Sequence, residues 1–540
     1  MKNTITKLFV GVFCASSLFT TTSCIDETTP TNIVTEQQVA SSSKATEALL
    51  WAIPAFTNKY NSYVGTHYDW GYGSIMHIRD VMTGDFAVVS SNYDQYNYWQ
   101  INSYMGNTYI FSQFIWNYYW PFVQTQNNLI KAIDPAEAND AQLGMLGAAQ
   151  AYRAMTYLDM AQMFEFLPNE KTDTINASGN NVKNLTVPIV RETTTEQDAR
   201  NNPRVPREEM AAFILEDLDN AEKNIVKLEL KEKTLPHLDA VYGLKARCYM
   251  WLGDYANAQK YARLAIDNSS VAPMDSASCL NPITGFNQLS KWMWGSQMVK
   301  EDDVVQTGIL NWTSWASNET VYGYAGAGPM NMMDANMYNR LNNSDWRKLM
   351  YKAPAGHELS GKETYIDEEF AAYLPAYASL KFRPNEGNME ESSVGSASAY
   401  PLMRVEEMYF IEAEAAEHLT PGAGIALLEN FMQTYRDPAY KYEEPTGEII
   451  NDNAAIDEIV FQKRVELWGE GQSFFDIKRL DMSVTRGYTG TNFKPKACFN
   501  TNGRPAWMNF CIVVTEERNN QALKGYENPD PSDLYTPWSE

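Results

Sequence analysis

Along the chain, apolar side chains recur at three- and four-residue intervals in separate blocks, and each block predicts a helix with one face turned to a core. Leu143, Leu146, Ala149, Tyr152, Thr156 and Met160 form such a stripe in a helix expected over 141–166. Met210, Phe213, Ile214, Leu218, Ala221 and Ile225 form another over 207–228. Helices are also expected over 46–56, bent or ended by Pro54, and over 113–133. Residues 57–112 mix Gly, Asn, Ser and aromatic residues without a helical period, which reads largely as loop.

Two further segments predict helical hairpins. In LDAVYGLKARCYMWLGDYANAQKYARLAI (238–266), Tyr242, Tyr249, Gly253, Tyr255, Ala258 and Ala265 fall where a tetratricopeptide repeat needs bulky, turn or small residues. Gly253 permits a tight turn, and Ala258 and Ala265 allow close helix approach. In RVEEMYFIEAEAAEHLTPGAGIALLENFMQTYRD (404–437), Pro421, Gly422 and Gly424 separate two apolar-striped helices. A lone pair cannot bury its face, so several pairs should stack, with 148–164 supplying a helix of another. From 268 to 400 the helical period lapses, and only short strand-like runs such as 291–299 remain. The pattern predicts a mainly α fold within a single domain over 45–540. Its helical scaffold spans about 45–267 and 401–480, and a loop-rich, partly β insertion over about 268–400 carries the ligand site.

The N-terminus, MKNTITKLFVGVFCASSLFTTTSC, has a basic start, a short apolar run and small residues before Cys24. That order predicts a signal peptide over 1–23, cleavage that exposes Cys24 for acylation, and a polar tether over 24–44. Several acyl chains anchor stably where one does not. Cys14 follows the bulky Phe13 and is the poorer acceptor. Cys248, Cys279, Cys498 and Cys511 form no metal-binding pattern; an exported chain permits disulfides, and 248–279 and 498–511 are the nearer pairings.

Charge narrows the function. Lys and Arg total 43 against 67 Asp and Glu, a formal charge of -24, which repels nucleic acid. His67, His77, His237, His357 and His418 show no metal-ligand spacing, and no nucleophile elbow, phosphate loop or HExxH motif occurs. A glycosidase needs two carboxylates across a sugar, and nothing singles out such a pair. No catalytic residue, metal site or cofactor is expected, and structural calcium is left open.

Aromatic residues give the positive lead. Twelve of the 28 residues from Tyr93 to Trp120 are aromatic. Those after Phe111 enter a helix and read as core. Tyr93, Tyr96, Tyr98 and Trp99 alternate with Asn92, Asp94, Gln95, Asn97 and Gln100, so ring faces could stack on sugars while amides bond hydroxyls. In the insertion, NWTSWASNETVYGYAGAGP contributes Asn311, Trp312, Trp315, Tyr322 and Tyr324. The candidate ligand-binding set is therefore Tyr93, Tyr96, Asn97, Tyr98, Trp99, Asn311, Trp312, Trp315, Tyr322 and Tyr324.

Three segments carry a family resemblance. EIVFQKRVELWGEGQSFFDIKRL (458–480), PLMRVEEMYFIEAEAA (401–416), and AQAYRAMTYLDM (149–160) with VPIV (187–190) together resemble the SusD/RagB family of outer-membrane nutrient-binding lipoproteins of Bacteroidota. Ile25, Asp26 and Glu27 resemble the acidic signal that sends such lipoproteins to the outer face. The resemblance implies a SusD-like fold and a shallow, loop-built ligand site. It also implies an exterior-facing lipid anchor at Cys24 and delivery of a nutrient, foremost an oligosaccharide, to a SusC-like TonB-dependent transporter. A peptide ligand is the alternative, and a surface glycosidase or adhesin a further one. Arg404, Glu407, Glu414, Arg464 and Glu466 in the shared motifs are expected to pair and fix helix packing.

Overall fold

The computed structural model describes residues 42–443 and 454–540. The expected signal peptide, Cys24 and nearly all of the tether lie outside the described residues. The longer helices are α1 (Ser43–Phe56), α2 (Tyr72–Val81), α3 (Ile110–Ala132), α4 (Asp140–Phe164), α5 (Arg207–Ile225), α6 (Leu238–Leu252), α7 (Tyr255–Asn268), α8 (Val405–Leu419), α9 (Ala423–Tyr435), α10 (Ala454–Glu466) and α11 (Ser473–Arg479).

Stacked pairs build the scaffold. Helix α1 packs on α3, α3 on α4, and each following helix packs on the next through α9, with α10 closing against α8 and α9. The α6–α7 turn forms at Gly253, whose φ of 73° is the left-handed conformation glycine adopts without strain. Asp254 then caps α7 by accepting the Asn257 N–H at 3.1 Å. At the second hairpin the Glu417 carboxylate accepts the N–H groups of Gly422, Gly424 and Ile425, satisfying the free donors that begin α9. Helix α4 is buried from Gly144 to Phe164. A Cβ on Gly144 would lie 2.5 Å from the Leu228 backbone, so glycine there lets the end of α5 approach.

The expectation of loop over 57–112 is corrected by α2, whose ten residues are all buried. A helix enclosed on every side has no solvent-facing stripe and hence no amphipathic period. Strand β1 (Phe86–Val88) then pairs antiparallel with β3 (Asn331–Met333), and β2 (Trp294–Gln297) pairs antiparallel with β4 (Ala399–Met403). These two small sheets tie the 268–400 insertion to both ends of the scaffold.

The shared motif residues build buried ion clusters. Glu466 accepts from Arg347 at 3.2 Å, Arg404 at 3.1 Å and Arg436 at 2.8 Å, while Glu470 accepts from Arg404 and Lys381. Glu406 pairs with Arg404, and Asp345 with Arg347. Burial would raise the Glu466 carboxyl, but Arg436 and Arg404 outweigh it and hold it well below the usual range. Nearby, Arg247 binds Glu407, Arg479 binds Glu414, and Arg464 binds Asp85.

All four cysteines of the described residues are buried, unpaired thiols, so neither sequence-near disulfide is present. Burial raises the thiols of Cys248 and Cys279 to about 12.

Candidate functional site

Just after β1, the chain leaves the sheet at Val89, whose N–H is bound by Met330, and crosses the surface over 90–96. It re-enters through the short helical turn Asn97–Gln100. Because neighbouring residues on a helix point about 100° apart, Tyr98 and Trp99 face different surroundings. Tyr98 is 39% exposed, whereas Trp99 is fully buried. Trp99 packs edge-on against Tyr68 and Phe111 at 5.0 and 4.9 Å, anchoring the turn.

The outward side of this loop lines an open groove of about 610 Å³. One wall comes from Ser90, Asn92, Asp94, Gln95, Asn97 and Tyr98, the other from 494–496. Lys494 locks the walls together, its Nζ donating to Asp94 Oδ2 at 2.7 Å, while Asp94 Oδ1 accepts the Tyr96 N–H. The only carboxylate of the lining is thereby satisfied. The side chains of Asn92, Gln95, Asn97 and Tyr98 make no hydrogen bond among the described residues. The volume is in the range of small-ligand pockets, but the wall is polar and open.

The structure divides the sequence-predicted set. Asn97 and Tyr98 line the groove, and Tyr93, between the lining residues Asn92 and Asp94, is 62% exposed. Tyr96 is buried, its hydroxyl bonded to Ser74 at 2.8 Å and its ring 4.4 Å from His77, and burial raises its pKa well above the ordinary value. Trp315 packs on Tyr96 at 4.8 Å and stacks on Tyr324 at 4.2 Å, so the two predicted clusters do meet, but beneath the groove. The Tyr324 hydroxyl bonds His67. Trp312 lies in the core against Tyr400 and Phe382. Asn311 is buried as the cap of a short turn, accepting the Ser314 N–H at 3.0 Å. Tyr322 is half-buried and packs by Gly395. The expectation that Tyr96, Trp99, Asn311, Trp312, Trp315 and Tyr324 present themselves to a ligand is corrected: their side chains are enclosed and floor the loops.

Residues missed in the sequence take their place. Lys494 and Lys496 come from a segment some 400 positions away, and a lysine in a loop carries no signal of what it faces. Tyr104 and Tyr109 belong to the same aromatic-rich stretch and are 44% and 39% exposed. Their spacing resembled neither strand nor helix, which hid their outward orientation.

Among the described residues, no group of three or more His, Cys, Asp or Glu is arranged to hold a metal ion, and no helix is long and apolar enough to cross a membrane.

Fold and groove define a class: a stacked-helix scaffold that holds a preformed polar cleft on its loop side. Residues 291–533 match the sequence model of the SusD family. No curated protein matches the chain by sequence. A SusD-like carbohydrate binding protein from Bacteroides vulgatus is 22% identical, with a TM-score of 0.67 over 91% of this chain and 99% of that one. A SusD superfamily protein from Bacteroides thetaiotaomicron is 16% identical, with a TM-score of 0.64 over 89% and 98%. Surface glycan-binding protein A of Bacteroides thetaiotaomicron, solved with laminarihexaose, is 15% identical, with a TM-score of 0.60 over 90% and 99%. The chain thus has a SusD-like fold, and its 291–533 segment carries the sequence pattern of the SusD family.

Proposed function

We propose that this protein is a cell-surface lipoprotein, anchored through acylated Cys24, that captures an oligosaccharide in the groove beside Tyr98 and delivers it to a SusC-like TonB-dependent transporter. The observation that carries the reading is a preformed groove whose side-chain amides are unspent and whose edge is aromatic. Asn92, Gln95 and Asn97 each offer a donor and an acceptor, the pairing that sugar hydroxyls require, and Tyr98 supplies a ring. A similar fold solved with laminarihexaose, and the match of residues 291–533 to the SusD family model, support the ligand class.

A peptide ligand is the second reading, favoured by the net charge of -24, which would suit a basic peptide. Local charge opposes it. Asp94 is neutralised by Lys494, and Lys496 is exposed at the rim, so the groove itself offers no free carboxylate. Charges farther than about 8 Å are screened at physiological ionic strength.

Calorimetry against soluble α-glucans, β-glucans, mannans and galacturonans tests the proposal, with the same sugars incubated and analysed for cleavage. Binding of at least one glycan without cleavage, abolished by Asn97→Ala with Tyr98→Ala, is expected. Peptide binding with no glycan binding would overturn it. For the anchor, Cys24→Ala should release the protein from the membrane fraction, and retention would refute that part.

A further inference from the structure

Charge in the groove runs against charge on the molecule. The chain carries a formal charge of -24, yet the lining holds two lysines, Lys494 and Lys496, against the single carboxylate of Asp94. Asp94 is withdrawn from any ligand. Its side chain is 3% exposed, and both oxygens are occupied, one by Lys494 Nζ at 2.7 Å and the other by the Tyr96 N–H at 3.0 Å. Lys494 is spent in the same pair, its side chain 7% exposed. Lys496 is left over. It is exposed, and among the described residues its ammonium, with three N–H donors, has no ion pair and no hydrogen bond.

The turn that carries Lys496 is fixed. Pro495 opens the turn Pro495–Ala497, and its ring constrains φ. The Ala497 N–H donates to the Lys494 carbonyl at 2.8 Å, and the Trp538 N–H donates to the Cys498 carbonyl at 2.7 Å. Phe493, Ala497 and Cys498 are buried in a small apolar cluster with Ala87, and Val89 and Ile101, at the two ends of the facing loop, pack against it. The backbone of the cation is thereby held against the wall that bears Asn92, Gln95 and Asn97. Those amides alone can meet the hydroxyls of a neutral sugar, which leaves the ammonium without a counter-charge. A carboxylate on the ligand supplies that charge and accepts the stronger, charge-assisted bond.

We propose that Lys496 makes the groove selective for acidic glycans: a uronate carboxylate pairs with its ammonium while the amides of the facing wall take the ring hydroxyls. The inference rests on the glycan reading above and narrows it, the ligand being a uronate-bearing oligosaccharide. The net charge of the protein repels such a ligand, so a preference for it can come only from a local group. Charges beyond about 8 Å are screened at physiological ionic strength, which leaves the nearest cation to decide.

The test uses the full chain and oligosaccharides of galacturonate, mannuronate and glucuronate, each beside its methyl ester, which keeps the chain and removes the charge. Calorimetry compares wild type, Lys496→Gln and Lys496→Arg, and thermal unfolding confirms that both variants fold, as expected for an exposed side chain. In wild type at least one uronate series should bind about threefold or more tighter than its ester, the size of an exposed ion pair. Raising the salt from about 0.03 M to about 0.3 M shortens the screening length about threefold and should shrink that difference. Lys496→Gln should abolish the preference and leave ester binding unchanged, and Lys496→Arg should retain it. The inference is overturned, while the groove reading stands, if no uronate outbinds its ester, if only neutral glycans bind, or if Lys496→Gln keeps the preference. Absence of binding by every series and by the polysaccharide panel, in a folded protein, overturns the glycan reading and this inference with it.

Discussion

Glu466→Gln removes one negative charge from the most enclosed ion cluster in the protein. Arg347, Lys381, Arg404 and Arg436 are there balanced by Asp345, Glu406, Glu466 and Glu470, and Glu466 touches three of the four cations. A glutamine keeps one acceptor but turns an NH₂ group toward a guanidinium, leaving a donor facing a donor and a net buried positive charge. Breaking a buried pair from one side costs about 3–5 kcal/mol. Net stabilities of domains lie at about 5–15 kcal/mol, so the loss would take a large share. The control is Glu196→Gln, which breaks an exposed pair with Arg200, side chains 63% and 82% exposed, where the expected loss is below about 1 kcal/mol. Urea unfolding followed by tryptophan fluorescence compares the two. A midpoint shift for Glu466→Gln no larger than that for Glu196→Gln, at equal slope, would refute the view that these motif residues hold the helices together.

Three other outcomes are expected. Trp99→Ala should destabilise by about 3–5 kcal/mol, as a large buried ring is lost, whereas Tyr98→Ala should leave the thermal midpoint nearly unchanged and weaken glycan binding; calorimetry and thermal unfolding separate the two. Burial would raise the Glu414 carboxyl, but Arg479 and His418 bring it down to about 2 from 4.5, so its contribution is complete above about pH 4.5 and is lost as pH falls toward 2. Glu414→Gln should flatten the acid limb of a stability-versus-pH curve in that window, and an unchanged limb would contradict the assignment. Cys248, Cys279, Cys498 and Cys511 should resist alkylation until denaturant is added, and a reductant should not shift the unfolding midpoint; either failure would point to a disulfide.

What could be read from the sequence follows from where each side chain's partners lie. The stripe Met210, Phe213, Ile214, Leu218, Ala221 and Ile225 has one buried face, and α5 forms where its period predicts. Gly253 signalled its turn because left-handed backbone favours one residue type. Helix α2 was invisible because burial on all sides erases the contrast between faces. Aromatic and amide residues alternating over 92–100 marked the loop that lines the groove, but that alternation could not say which rings face out. Trp99 differs from Tyr98 only by its position on a single helical turn. The asparagine at 311 looked like a sugar-bonding amide and serves as a helix cap. The second groove wall comes from 494–496, and contacts spanning about 400 residues leave no local pattern.

The most direct test of the central claim is a crystal structure of the protein soaked with an oligosaccharide that binds in solution. Density for sugar is expected in the groove between Tyr98 and Lys496, with hydroxyls within hydrogen-bond reach of Asn97 or Gln95. An empty groove, with the sugar ordered elsewhere on the molecule, would contradict it.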